Sequence, residues 1–361
     1  MAGLLYRQDM DEVRKRLTHW WNGGDLGRPA LQVSAKREKP LEDIPEVPMP
    51  EGCQTACYTT MDFNFRLNRG LRGPINTYYL AESYPSASPD LAPNTLALFL
   101  GCPGIEAQGS VWCEPIIDPD NPESAVFEVR EDNKYLDFSL RLGKEFKRLG
   151  AGKFLLEFPD FIEGLDTFAA MRGTQALLFD LVERPQWVHD SLAKITACWH
   201  DVYDRFYDFM ADETGGSCFW AWAPGKMVKL QCDFSAMISP EMFGEFMVPV
   251  LDDLTHFTDY SMYHWDGPGA LPHIDHLLNL EALNMIQWTP GSGAKPLHDP
   301  QWFPMYHRIV EAGKKLILMG IPTDTMPLMK KEFGRKLKDF MINLHFNTRA
   351  EAEEGIKRAQ Y

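Results

Sequence analysis

His264 and Asp266 stand two residues apart at the end of an apolar, aromatic run, Ser-Met-Tyr-His-Trp-Asp (261–266), and Gly267-Pro268-Gly269 follows at once. In a strand, positions i and i+2 project to the same side, so the imidazole and the carboxylate share one face. A strand that ends in ionisable residues and breaks at a glycine-rich turn into a helix is where α/β folds place their chemistry. Capping the turn would need one such group, not two. The pair supports two chemistries. His264 can act as general acid or base, its tautomer fixed by Asp233 or Asp266. Alternatively, His264 and Asp266 can hold a metal such as zinc, with Cys232 as a further ligand. Cys232 and Asp233 point to opposite faces of a regular strand, so a metal would take one of them and not both. His273 and His276 fall on the following helix, which would turn them to solvent or to the helix–strand interface.

These residues need elements to bring them together. A strand ending near Asp233 is followed by one ending near Asp266, then by 284–288 and 316–320, with mostly helical sequence between them. That βα cadence, without a glycine-rich dinucleotide fingerprint, predicts an α/β fold of the (β/α)8 TIM-barrel type. It is expected to be a single domain over residues 1–361, with an irregular, aromatic-rich N-terminal portion. In such a barrel the strand ends converge on one rim. Asp160 and Glu157 would come from one early strand, Trp112 and Glu114 from another, and Gln287 and Trp288 from a late one. Tyr78, Tyr79, Trp220, Trp222 and Trp288 would supply aromatic walls. The expected substrate-binding set is Tyr78, Tyr79, Trp112, Asp160, Trp220, Gln287 and Trp288, around the catalytic candidates Asp233, His264 and Asp266. The same periodicity predicts helices over 9–21, 134–149, 185–210, 239–257 and 324–344. It predicts strands over 30–35, 96–100, 112–117, 125–129, 153–158, 217–223 and 227–235.

Composition narrows the class. Of 361 residues, 45% are hydrophobic and 24% charged, as in ordinary globular proteins. A formal charge of −15 argues against non-specific binding to nucleic acid or to an anionic membrane. No stretch approaches the roughly 20 apolar residues of a membrane helix, and the first residues lack a signal-peptide layout, so a cytoplasmic protein is expected. Seven cysteines, an odd number, read as reduced thiols and not as a disulfide framework. Cys53 and Cys57 are close enough to ligate a metal, but no second pair accompanies them.

Three segments in this order, Gln-Cys-Asp-Phe-Ser-Ala-Met-Ile-Ser-Pro-Glu-Met-Phe-Gly-Glu-Phe-Met-Val-Pro (231–249), Tyr-His-Trp-Asp-Gly-Pro-Gly (263–269) and Ile-Gln-Trp-Thr-Pro-Gly (286–291), resemble the uroporphyrinogen decarboxylase superfamily. The resemblance is carried by residues 217–320, and over the first half by order of elements alone. It implies a (β/α)8 barrel and one of two chemistries. One branch decarboxylates tetrapyrrole acetates using arginines near the N-terminus, and the segment around Arg28-Pro29-Ala30-Leu31 lacks the closely spaced arginine pair. The other branch moves methyl groups to or from a corrinoid protein or a thiol, usually with zinc bound by a His-x-Cys pair. Here Asp266 replaces that cysteine, and an oxygen ligand suits a metal that polarises an ether, hydroxyl or carbonyl. The chain thus resembles the methyltransferase branch more than the porphyrinogen decarboxylases. The implied activity is transfer of a methyl group from a small methoxy compound or methylamine to a corrinoid carried by a partner protein, with zinc assisting and Asp233 supplying the leaving group's proton. The alternative is a lyase or decarboxylase acting on a small carboxylate or sugar-like substrate through His264 and Asp233. A barrel that only binds a ligand is the third class. A homodimer is compatible with all three.

Overall fold

The computed structural model describes residues 3–51, 61–91, 93–107 and 110–360, so Cys53 and Cys57 lie outside the described residues. Seven segments form the main sheet: β1 (Ala30–Lys36), β2 (Thr77–Ala81), β3 (Met227–Gln231), β4 (Tyr260–Asp266), β5 (Met285–Thr289), β6 (Lys315–Met319) and β7 (Phe340–Phe346). Their order across the sheet is β2-β1-β7-β6-β5-β4-β3, and every pairing is parallel except β1 with β2. Parallel neighbours require crossover connections. Helices Pro240–Phe246 and Val248–Phe257 link β3 to β4, Ile274–Asn279 links β4 to β5, Phe303–Glu311 links β5 to β6, and Met326–Phe333 links β6 to β7. The α/β class with a parallel sheet is therefore observed. Among the described residues the continuous ladder ends at β2 and β3. The first half adds only fragments: Ser86–Ala87 pairs with Leu155–Leu156, and the Phe158 amide donates to the Cys218 carbonyl at 3.0 Å.

Strand registers align the polar residues at the strand ends. His264 lies opposite Gln231 on one side and Gln287 on the other, and Asp266 lies opposite Thr289. Asn343 pairs with Met319 and Gln32, and Ser34 with His345 and Tyr79. The intervening residues are apolar and fill the core. Trp265, Trp288 and Trp302, for instance, pack edge-on with ring centroids 4.9 and 5.2 Å apart.

Several expected elements differ. Residues 96–99 of the expected strand 96–100 are helical, within Thr95–Phe99, because a short apolar run suits a buried helix turn as well as a strand. Residues 125–129 are irregular, with no neighbouring ladder to pair with. The helix expected over 324–344 stops at Phe333, where Gly334 takes φ +52°, and the apolar run Phe-Met-Ile-Asn-Leu becomes β7. The N-terminal portion is less irregular than expected. It holds the helix Phe63–Ile75, whose first turn is capped by Asp62 accepting from the Phe65 amide at 2.8 Å.

One buried ion cluster ties the N-terminal helix Met10–Trp21 to the sheet. Glu82, fully buried, accepts two hydrogen bonds from Arg28 at 2.7 and 2.8 Å, one from Arg16 at 2.8 Å and one from the Leu31 amide at 2.8 Å. Burial alone would raise its pKa, but the Arg28 pair, the Leu31 amide and Arg16 together hold it below the ordinary carboxylate value. Its stabilisation is present above the unfolded pKa and lost as pH falls through the folded one. Replacing Glu82 by Ala strands Arg28 beside a buried void and should cost about 3–5 kcal/mol, read by urea unfolding at pH 7. Gln in its place should cost distinctly less, because it keeps the acceptor oxygen and the volume.

Candidate functional site

The ligand-capable atoms of Asp233, His264 and Asp266 all lie within 4.8 Å of one another. Three features of local folding place them. The strand β4 presents His264 and Asp266 on one face, as the i, i+2 spacing requires. It then breaks at Gly267, whose φ of +78° is open to glycine without strain. Asp233 begins the 3-10 turn Asp233–Met237 after β3, and Asp166 fixes that turn by accepting from the Asp233 and Phe234 amides, both at 2.8 Å.

His264 Nδ1 contacts Gln287 Oε1. The Gln287 amide nitrogen is already committed to the Trp288 carbonyl and the Thr289 hydroxyl, both at 2.9 Å, so its oxygen must face the imidazole. Nδ1 therefore carries the proton, and the Nε2 lone pair is left for a ligand. Burial, and then the nearby Lys229 charge, hold His264 down at about 4, so the ring is neutral at pH 7. Asp266 Oδ1 is buried without a hydrogen-bond partner among the described residues, and burial raises the pKa of this carboxyl. Asp233 keeps an exposed edge while protein surrounds the rest of it. Burial and the charges of Asp166 and Asp266 push it up to about 7. A neutral imidazole, an unpartnered carboxylate oxygen and a second carboxylate fit a divalent cation of the zinc or harder, oxygen-preferring kind. Cys232 stands outside this group. Its thiol is buried in the core, where burial holds its pKa well above the ordinary value, and the chain turns Asp233 to the site in its place.

Beside the cluster lies a buried cation the sequence reading passed over. Lys229, 4% exposed, sits 2.5 Å from Asp160 Oδ1 and bonds Gln231 Oε1, and its charge also bears on Glu163, Asp166 and Asp233. Glu163 accepts from the Gln231 amide at 2.7 Å. It is held well above the ordinary carboxyl value by burial. A lysine centred in the apolar run Met-Val-Lys-Leu-Gln was the available signal.

Two cavities reach toward this group through Trp220, which packs on His264, and Asp160, which pairs with Lys229. One, of about 400 Å3, is lined by Gln32, Ser34, Tyr79, Glu157, Trp220, Asn343, His345 and their neighbours. The other, of about 280 Å3, is lined by Asp90, Glu157, Asp160, Phe219 and Trp220 among others. Trp220 is common to both and meets the His264 ring edge-to-face at 5.4 Å. Of the expected substrate set, Tyr79, Asp160 and Trp220 thus line cavities, and Gln287 supports His264. Tyr78, one residue from Tyr79, faces the other way, bonding Glu38 at 3.1 Å under the Arg37 guanidinium. Trp288 is fully buried in the tryptophan stack, because its neighbour Gln287 takes the face toward His264. Trp112 is 65% exposed on the hairpin Gly104–Ala107/Ser110–Cys113, and Glu114 beyond it is exposed.

No family model and no curated protein matches the sequence. The structure is similar to that of a methyltransferase from Methanosarcina mazei, with a TM-score of 0.62 over 96% of this chain and 98% of that one, at 10% identity. At that identity the likeness shows the fold.

The 280 Å3 cavity carries a pH prediction. Burial and the adjacent Asp160 charge raise Asp90 to about 6. A raised carboxyl favours the fold below its unfolded pKa and loses that contribution as pH rises through about 6. Asn at 90 keeps the acceptor oxygen for the Asp160 amide and the Thr95 hydroxyl. Asp90→Asn should therefore stabilise the protein by about 1–2 kcal/mol at pH 8, a gain that fades toward pH 4 in thermal melts.

Proposed function

We propose that this protein is a methyltransferase that takes a methyl group from a small methylated substrate, a methoxy compound or a methylamine, and passes it to a corrinoid carried by a partner protein. The convergence of Asp233, His264 and Asp266 within 4.8 Å carries the reading. The likeness in fold to a methyltransferase supports it, as does the resemblance of residues 217–320 to the uroporphyrinogen decarboxylase-like methyltransferases. On this reading the short strands of the first half complete a single (β/α)8 barrel domain.

His264 Nε2 and Asp266 would hold a metal, zinc being our first choice, with Asp233 beside them as the acid. When bound it supplies a Lewis acid toward the substrate heteroatom. The residues do the rest. Gln287 keeps His264 in the tautomer that leaves Nε2 free. Breaking a methyl–oxygen bond leaves an alkoxide, and Asp233, at the exposed edge, would deliver the proton that makes it an alcohol. Trp220 and the cavity it lines would hold the substrate body with its methyl group directed outward. A lyase acting on a carboxylate substrate is less well served. Such a substrate would meet Asp233, Asp266 and Asp160, with Lys229 already paired to Asp160.

The test joins metal analysis with turnover. Purified protein should retain about one divalent ion per chain and form methylcobalamin from reduced cobalamin and at least one member of a panel of methyl ethers and methylamines. Gln287→Ala should weaken metal retention by about 10–100-fold. His264→Ala should abolish both metal retention and transfer. Failure of metal-loaded protein to methylate cobalamin from any panel member overturns the proposal.

A further inference from the structure

Trp220 holds an unusual backbone. Its φ of +54° belongs to the left-handed region, where a bulky residue is strained. It sits between the antiparallel segments Ser217–Phe219 and Ala221–Ala223, and two side chains grip its peptide groups. Glu157 Oε1 accepts from its amide at 2.5 Å, and the Gln32 amide donates to its carbonyl. Neither grip involves the indole. The indole instead forms wall for both cavities and packs edge-to-face against His264. A strained position held from two sides, with its side chain at the junction of two cavities, is built to present that side chain.

The wall of the 400 Å3 cavity indicates what is presented there. Its charged or chargeable residues are Glu157 and His345. Both oxygens of Glu157 are engaged, one by the Trp220 amide and the other by the Ser86 hydroxyl at 3.0 Å. His345 Nδ1 is engaged by the Ser34 hydroxyl at 2.5 Å. Burial raises the pKa of Glu157, and among the described residues no other carboxyl group lines this wall, so a cationic ligand would gain little charge pairing there. The rest of the wall is hydroxyl, amide and aromatic: Ser34, Tyr79, Ser83, Gln32, Asn343 and Trp220. Asn343 is under-used, its nitrogen making a long 3.4 Å bond to Gln32 and its oxygen none among the described residues.

We infer that this cavity is the subsite for the body of a neutral, hydroxylated ring compound, that Trp220 is the residue that selects it, and that the methylated substrate is therefore a ring ether and not a methylammonium ion. The inference rests on the methyl-transfer reading for the word ether, and on the cavity alone for the ring. Two ring types share this chemistry, a phenol and a pyranose. Both stack on an indole and both offer hydroxyl groups to amide and hydroxyl partners.

Calorimetric titration of the protein with 2-methoxyphenol, methyl α-glucopyranoside and trimethylammonium chloride tests it. One ring ether at least should bind, at least tenfold more tightly than the cation, and which one binds fixes the ring type. Trp220→Gly relieves the positive φ and retains both backbone hydrogen bonds, so its melting temperature should equal or exceed that of the parent. Its affinity for the ring ether should fall about tenfold or more. Trp220→Asn, which tolerates the same backbone, repeats the comparison should the glycine variant melt early. The inference is overturned if neither ring ether binds, if the cation binds as tightly, or if a folded Trp220 variant binds the ring like the parent. Ring binding without methyl transfer would count against the methyltransferase and leave the subsite standing. Transfer from trimethylamine without ring binding would do the reverse.

Discussion

The site depends on one buried ammonium. Lys229 lies under the strand ends with Asp160 in contact and Glu163, Asp166 and Asp233 within reach of its field. Four carboxyl groups gathered at the end of a sheet would repel one another strongly in a low-dielectric setting. A single central cation offsets part of that repulsion, and protonation offsets more, since burial moves Glu163, Asp166 and Asp233 upward and neighbouring carboxylates add to the shift of Glu163 and Asp233. What survives is a strongly electronegative mouth with His264 kept neutral at its edge. That is an environment in which a cation gains and an additional anion loses. The amide of Gln287 then turns a merely neutral imidazole into one with a defined free nitrogen.

Much of this was legible in the chain. The i, i+2 pair in a strand before Gly-Pro-Gly placed His264 and Asp266 on one face, and the βα cadence over the second half produced the parallel run from β3 to β6. Cys232 and Asp233 must face opposite ways in a regular strand, and sequence alone leaves open which of the two faces the site. Sequence neighbours named together as one wall run against the same alternation. Tyr78 and Tyr79, or Gln287 and Trp288, cannot share a wall in a regular strand, and only the register with neighbouring strands says which member turns inward. Helix and strand are exchanged at 96–99 and 340–344, where short apolar runs satisfy either period and a tertiary neighbour decides.

Other parts of the site left fainter traces. Lys229 was visible as a charge inside an apolar run, which ought to have marked it as buried and paired. The positive φ of Trp220 left no mark, for no glycine or asparagine announces it. Gln32, Asn343 and His345 come from the two ends of the chain, and their meeting follows from the β1–β7 pairing alone. Resemblance to a superfamily over residues 217–320 anticipated the second half, while the cavity walls are largely built by the first half and the last strand.

That pairing has a consequence for how the molecule comes into being. Ser34 meets His345 across a separation of 311 residues. During synthesis β1 emerges early and has its antiparallel neighbour β2 within reach, yet its other flank stays open until β7 has been made. Contacts of such long range are slow to form and leave strand edges exposed meanwhile. The larger cavity, whose walls include Gln32, Ser34, Asn343 and His345, is therefore among the last features to assemble, well after β3, β4 and β5 can have brought Asp233, His264 and Asp266 together. A nascent chain would own its cation-seeking cluster before it owned a place for a substrate.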